Sequence, residues 1–549
     1  MRPRAVFPSA LRLTLRALAG VLLLLAAPIA CGRSPSTAGR GAGGGRFIFP
    51  LPSEPTTLNF VTGSDYVGEC VGRLVGDGLV DRDESLRIVP RLAESWDFSP
   101  DGRVLTFHLR QGARFHDGKP LTSADVAYTY ERVIDPNSRA VGRVDGFLPI
   151  ERVETPDEKT VRVTYRYPYS PALAAWEVPI LPRHLYERED FLTASGNRAP
   201  VGTGPFRFVS WEAGRRIVLA ANDDYWGGRP YLDSIELPIV PSQETALQAL
   251  LAGEVDYASL TPVQWEARSA DPSFSRRFAT VEYLPLFFYY IAWRSDGSNP
   301  YFSDPLVRQA MTLALDREGY VRSVLRGAGR VADSLFHPSV LPPDPERPAP
   351  RFDPKGAAAL LDQAGWRVDP RTGLRSRRGV PFRFTLLIFS GGQDHVQFSQ
   401  VAQESLQRLG IEMSIQRLDW PTLWGRLQKG EFQAALSGIV SSVDPDGIAY
   451  GMLHSSQVKG GQNYAGLSDP QMDAWLEEGR RQVTPAQRAA TYRRIERRLA
   501  ELQPYTCLFS PVTRAAMARR LGGVSPGPRG LIATYPGVSR LRVMEHEGP

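Results

Sequence analysis

The chain has 549 residues, 42% of them hydrophobic and 10% aromatic, which excludes a disordered or collagen-like chain. At about 100 to 200 residues per domain, two to four domains or subdomains are expected. The 65 basic and 59 acidic residues leave a formal charge of +6, no nucleic-acid footprint unless it is clustered, and only five of the basic residues are lysine, a bias of codon usage more than of phosphate recognition.

In chain order the first element is a leader. Arg2, Arg4, Arg12 and Arg16 precede an uncharged run of 14 residues from Ala17 to Ala30, which stops at Cys31. A spanning helix needs about 20 apolar residues, so this shorter run behind positive charge predicts a secretory signal over 1–31. Ala30 before Cys31 resembles a bacterial lipobox, which implies diacylglycerol on the Cys31 sulfur, although Pro28 stands where leucine is usual. Residues 32–46 are rich in glycine, serine and arginine without apolar periodicity and predict a flexible tether. Leader and tether hold seven arginines and no acidic residue, so residues 47–549 carry a net charge of −1. That near-neutral body argues against nucleic acid and against electrostatic membrane binding; attachment rests on Cys31. With Cys31 assigned to lipid, Cys70 and Cys507 are compatible either with a disulfide or with two buried thiols.

From Phe47 onward short β-type runs alternate with amphipathic helices, which predicts α/β lobes. Residues 105–110 and 111–118 suggest a strand, a turn and a second strand. Ser123 is expected to cap a helix that buries Val126, Ala127, Tyr130 and Ile134. Asp304-Pro305 opens another, with Val307, Ala310, Met311 and Ala314 inward. The proline-rich stretch 337–354 suggests an extended surface connection. Asp469-Pro470 and Thr484-Pro485 open two further helices. The second turns Tyr492, Ile495, Leu499 and Leu502 inward and Arg493, Arg494, Arg497 and Arg498 mostly toward solvent.

Motifs of the common catalytic classes are missing. Gly39-x-Gly41-x-x-Gly44 lies in the tether with no strand before it, and the Gly112 to Gly118-Lys119 stretch has the wrong spacing for a phosphate loop. The seven histidines form no H-E-x-x-H pair, and neither C-x-x-C nor G-x-S-x-G occurs. The expectation is a binding protein that is not an enzyme, with no cofactor and no metal site.

Several blocks in order carry a resemblance: Leu92-Ala93-Glu94-Ser95-Trp96, Phe115-His116-Asp117-Gly118-Lys119-Pro120, Val201-Gly202-Thr203-Gly204-Pro205-Phe206, Leu251-Ala252-Gly253-Glu254-Val255-Asp256, Asp304-Pro305-Leu306-Val307-Arg308-Gln309-Ala310, and Asp444-Pro445. Gly202-x-Gly204-Pro205 suggests a tight turn that needs a permissive φ. Together the blocks resemble extracytoplasmic solute-binding protein family 5, the peptide and oligopeptide receptors of ABC importers. The resemblance implies a two-lobed periplasmic-binding-protein-like fold with a subdivided first lobe. Lobe one would be 47–280 with an inserted subdomain at about 86–198 and a C-terminal return at 506–549; lobe two would be 281–505. Two strands, near 286–293 and 505–510, would form the hinge. It also implies a lipid-anchored, extracytoplasmic monomer that hands a peptide-like solute to an inner-membrane permease and its ATPase.

By family position, Tyr66 in the first lobe and Trp420, Trp424, Ser441, Asp444 and Asn463 in the second are candidate ligand residues. Aromatic rings supply contact area at low entropy cost, and the backbone at Ser437-Gly438 could take an extended ligand as an added strand. Peptide-binding relatives commonly place an aspartate three residues before the Asp-Pro pair, for the peptide α-amino group. Ser441 stands there, and the loop 389–395 has no Arg or Lys for a carboxylate. A neutral hydroxyl cannot neutralise a buried ammonium, so a blocked or longer peptide, or a non-peptide solute, is expected over a free dipeptide. The competing expectations are a sensory lipoprotein that presents a ligand without import and a metal-chelate or haem receptor.

Overall fold

The computed structural model describes residues 44–544 except 64, 141, 142, 348 and 525. The predicted signal, Cys31 and most of the tether lie outside the described residues. No helix of the described residues is long and apolar enough to cross a membrane.

The largest sheet has six strands, in the order 329–331, 505–511, 287–293, 434–440, 383–389 and 412–418. Its central strands Phe287–Trp293 and Tyr505–Pro511 carry almost unbroken apolar runs, the pattern of strands covered on both faces. Alternate residues go to opposite sides. Ile291, Trp293, Leu386 and Leu436 join one core, whereas Tyr290, Ala292, Leu387 and Ala435 join the other.

A four-stranded antiparallel sheet follows the order 93–98, 104–109, 160–165, 150–157. Another four-stranded sheet joins 46–48, 234–238, 216–221 and 206–212, and a three-stranded sheet joins 257–259, 513–518 and 278–283. The chain passes between this last sheet and the six-stranded one twice. One passage runs from the strand ending at Tyr283 to that starting at Phe287, and the other from Pro511 to Thr513. Both flanking pairs are antiparallel, 278–283 with 513–518 and 287–293 with 505–511, so two adjacent strands carry the connection.

Helix starts follow the sequence closely. Asp304, Asp444 and Asp469 are N-caps whose carboxylates accept backbone N–H groups, each with proline at the start of the helix. Thr122, one residue before Ser123, is the cap of helix Ser123–Ile134 and forms a capping box with Asp125. The block around Asp304 also serves another helix end. Arg308 Nε donates to the Leu502 carbonyl at 2.8 Å and Gln309 to that of Glu501 at 2.7 Å, satisfying the C-terminus of helix Pro485–Leu502.

Several expectations change. Residues 111–118 form no second strand; only an isolated bridge between Arg114 and Pro120 closes the loop, because strand Val104–Leu109 is already paired on both edges, with 93–98 and 160–165. Stretch 337–354 is not purely a surface connection. His337, Leu341 and Asp344 are buried, and Arg497 reaches Asp344 at 2.7 Å and Glu346 at 2.6 Å. The arginines of helix 485–502 are therefore ion-paired to other segments, with Arg494 to Glu478 and Arg498 to Asp469 as well. Neither Gly202 nor Gly204 has a positive φ. Glycine is required because a Cβ at 202 would meet the Val75 carbonyl oxygen at 2.1 Å, and one at 204 the Leu74 oxygen at 2.7 Å. Cys70 and Cys507 are free, buried thiols.

Candidate functional site

The Ser441–Asp444 segment lies between two cavities. One, of about 600 Å³, is lined on one side by Arg73, Arg143 and Tyr169 and on the other by Trp424, Asp444 and Tyr450. The other, of about 420 Å³, lies against the strand passage and is lined by Leu284, Phe287, Phe336, His337, Ser441 and Ser510. At the rim of the first cavity the Ser170 N–H donates to the Arg480 carbonyl at 2.8 Å, tying its two walls together.

Helix Trp420–Lys429 is capped by Asp419, and its spacing puts Trp420 and Trp424 on one face. Their rings stack at 5.9 Å and 28°. Phe389 braces Trp420 and Tyr464 braces Trp424, both edge-on at 5.8 Å. The tryptophans nevertheless stay 42% and 39% exposed, an aromatic platform held from behind and open in front. Tyr66, the first residue of helix Tyr66–Val75, is 60% exposed, yet the buried Cys70 thiol and burial of its phenol raise its pKa. Its hydroxyl and that of Tyr283 both lie against Gly530.

Strand 434–440 pairs with 287–293 along its whole length. On its other side it meets 383–389 only at Ala434 and Ala435. Among the described residues, the backbone edge from Leu436 to Val440 has no ladder partner on that side, and Val440 is 68% exposed. Such an edge can accept another strand.

The polar candidates divide by role. The Ser441 N–H donates to Leu286 and its hydroxyl to Leu335, so its side chain is buried and partnered. Asp444 caps helix Pro445–Leu453 and accepts both arms of Arg488, at 2.5 and 2.7 Å. Burial opposes its charge, but Arg488 outweighs burial and holds the carboxyl below its ordinary value. Asp446 has the opposite balance: burial pushes it up against the pull of Arg480, whose Nε donates to it at 3.0 Å. Asn463 is enclosed. Its amide nitrogen donates to the carbonyls of Leu453, His454 and Leu467, and its oxygen accepts the Leu467 N–H, so the structure gives it the task of shaping the 453–467 loop.

The opposite wall was invisible in the sequence. Arg73 bonds Glu69 at 2.9 Å and Asp81 at 3.3 Å, and Arg82 and Arg529 hold Glu177 at 2.7 and 3.5 Å. Glu69 and Arg73 are an i,i+4 pair of one helix, whereas Asp81, Arg82, Glu177 and Arg529 come from segments up to hundreds of residues apart that no local motif joins. His116, a resemblance residue, is structural: Nδ1 accepts the Gly202 N–H at 3.3 Å, and Nε2 lies 3.0 Å from the Gly204 carbonyl. Burial lowers its pKa to about 4. Among the described residues no cluster of His, Cys, Asp or Glu could hold a metal ion.

Comparison with known proteins matches residues 87–460 to the profile of bacterial extracellular solute-binding proteins, family 5. The oligopeptide-binding protein AppA of Bacillus subtilis is 31% identical, over 93% of this chain and 95% of that protein. Its structure in complex with a nonapeptide superposes with a TM-score of 0.78 and 30% identity, covering 92% of this chain and all of that one. NikA of Brucella suis in complex with Fe(III)-EDTA superposes with a TM-score of 0.80 and 25% identity, over 91% of this chain and all of that one.

Proposed function

Because the chain belongs to the bacterial extracellular solute-binding proteins of family 5, with their two-lobed α/β fold, we propose that it is the capture component of an ABC importer for a peptide-like solute. It would deliver that solute to a membrane permease and its ATPase without making or breaking a bond. The single observation that carries the reading is the exposed aromatic pair Trp420 and Trp424, braced by Phe389 of the strand that flanks the unpartnered edge 436–440, a combination suited to an extended chain. The oligopeptide-binding protein AppA and its nonapeptide complex support the same class of ligand.

In this reading lobe one is about 47–280 plus the C-terminal return, with its subdomain at about 86–198, and lobe two is about 281–505; strand 505–511 pairs within the six-stranded sheet, so the return begins at the second passage, 511–513. Hinge closure about the two passages encloses the solute. Tyr66, Trp420 and Trp424 would touch the ligand; Ser441, its hydroxyl buried and bonded to Leu335, would give it only a neutral wall, and Asp444 would set that wall through Arg488. The chain would act as a monomer outside the cytoplasm, cleaved before Cys31 and held by lipid on that residue, since one acyl chain alone gives marginal attachment and two or more hold.

Mass spectrometry of cargo released from natively purified protein tests the ligand class, and solute uptake by a deletion strain tests transport. Peptide or blocked-peptide cargo and a lost uptake are expected. Unchanged uptake of every solute would favour the sensory role, and cargo carrying iron, nickel or haem would favour a chelate receptor. Replacing Trp424 with alanine should weaken cargo binding about tenfold, the range of a well-packed aromatic contact.

A further inference from the structure

Three arginines line the 600 Å³ cavity: Arg73, Arg143 and Arg480. Arg73 is saturated by Glu69 and Asp81, and Arg480 by Asp446. Among the described residues Arg143 has no carboxylate within ion-pair distance, and its side chain makes one hydrogen bond, to the Gly63 carbonyl at 3.3 Å. Burial and the neighbouring Arg73 both work against its charge, and the partial counterweight is Glu69, already bound to Arg73. A guanidinium stays protonated at any pH the protein meets, so this cost cannot be relieved by deprotonation.

The acidic lining groups do not answer it. Glu177, Asp444 and Asp446 each hold an arginine of their own, and Asp145 is solvent-exposed, where water screens its charge. At the other cavity Ser441 offers a neutral, already bonded hydroxyl.

The geometry points to Arg143 as the seat of an anionic group on the solute: the protein takes peptide-like ligands that end in a carboxylate. This rests on the capture role proposed above. The planar fork of Arg143 suits the two oxygens of a carboxylate, and the ligand would supply the counter-charge that the fold omits.

The test uses two equimolar pools of acetyl-capped peptides of three to nine residues, one with free carboxylates and one with carboxamide ends, offered together to the immobilised full-length mature protein. The retained fraction is read by mass spectrometry. At least tenfold enrichment of the acid over the amide is expected, falling to parity in Arg143→Gln and kept in part by Arg143→Lys, with circular dichroism showing both variants folded. Retention of acid and amide in equal amounts by the unaltered protein, or preference for the amide, overturns the assignment and leaves the capture role standing. Retention of neither pool, with peptide-free native cargo, overturns the assignment and the peptide reading together.

Discussion

Asp444 separates two roles that the sequence leaves open, a ligand contact and a wall support. Its carboxylate does two things: it caps helix 445–453 through the Asp446 N–H at 2.9 Å and it binds Arg488 through both oxygens. The two side chains are 14% and 13% exposed, so removing one leaves the other charged and largely desolvated. Asp444→Ser keeps a capping oxygen and removes the ion pair; the loss is then about 3 kcal/mol, the lower end for an orphaned buried charge. Arg488→Met should cost a similar amount, about 3 kcal/mol. The double variant should cost much less than the sum, with a coupling energy of about 2 to 3 kcal/mol. Urea unfolding of the four proteins at pH 7, followed by circular dichroism, measures it. Additivity within about 0.5 kcal/mol would refute the reasoning, because independent sites add to that precision. The sign of the pH dependence is fixed too. Arg488 depresses the folded pKa of Asp444, so the pair's stabilisation is present above the ordinary aspartate value and is lost as pH falls through the folded one.

Gly202→Ala should destabilise by about 1 to 3 kcal/mol or more, since the added methyl meets backbone and cannot be accommodated by a rotamer change; a midpoint in urea equal to the parent's would contradict the close approach. His116 has a folded pKa of about 4, below the unfolded value, so its contribution is complete above about pH 6.5 and is lost as pH falls toward 4. A thermal-melting series between pH 7 and 5 should fall less steeply in His116→Gln than in the parent, and parallel profiles would exclude the effect. Cys70 and Cys507 are buried and burial pushes both thiols up to about 12, so a thiol reagent at pH 8 should label neither in the native protein and both in denaturant; rapid native labelling would count against it.

Local chemistry is what one chain position can announce. An Asp-Pro pair caps and starts a helix wherever it lies, and this is why Asp304 and Asp469 were legible as helix starts; Asp444-Pro445, read for its ligand position, starts one as well. The strand 287–293 was expected near 286–293 from the resemblance, and its apolar run is that of a strand covered on both faces. The aromatic platform was half legible: Trp420 and Trp424 share a helix face by spacing, but their bracing by Phe389 and Tyr464 is tertiary. Asp444 looked equally like a turn former and a ligand contact until Arg488 was seen against it, 44 residues on.

By itself the sequence determined the family framework, the basic leader ahead of a near-neutral body, and the register of helix starts, because each depends on residues adjacent in the chain. Only the tertiary structure decided why Gly202 and Gly204 must be glycine, that the cysteines are free, and which arginine in the cavity lacks a partner. Close approach, thiol separation and charge compensation are properties of groups brought together from distant segments, and composition and spacing carry no record of which groups those are.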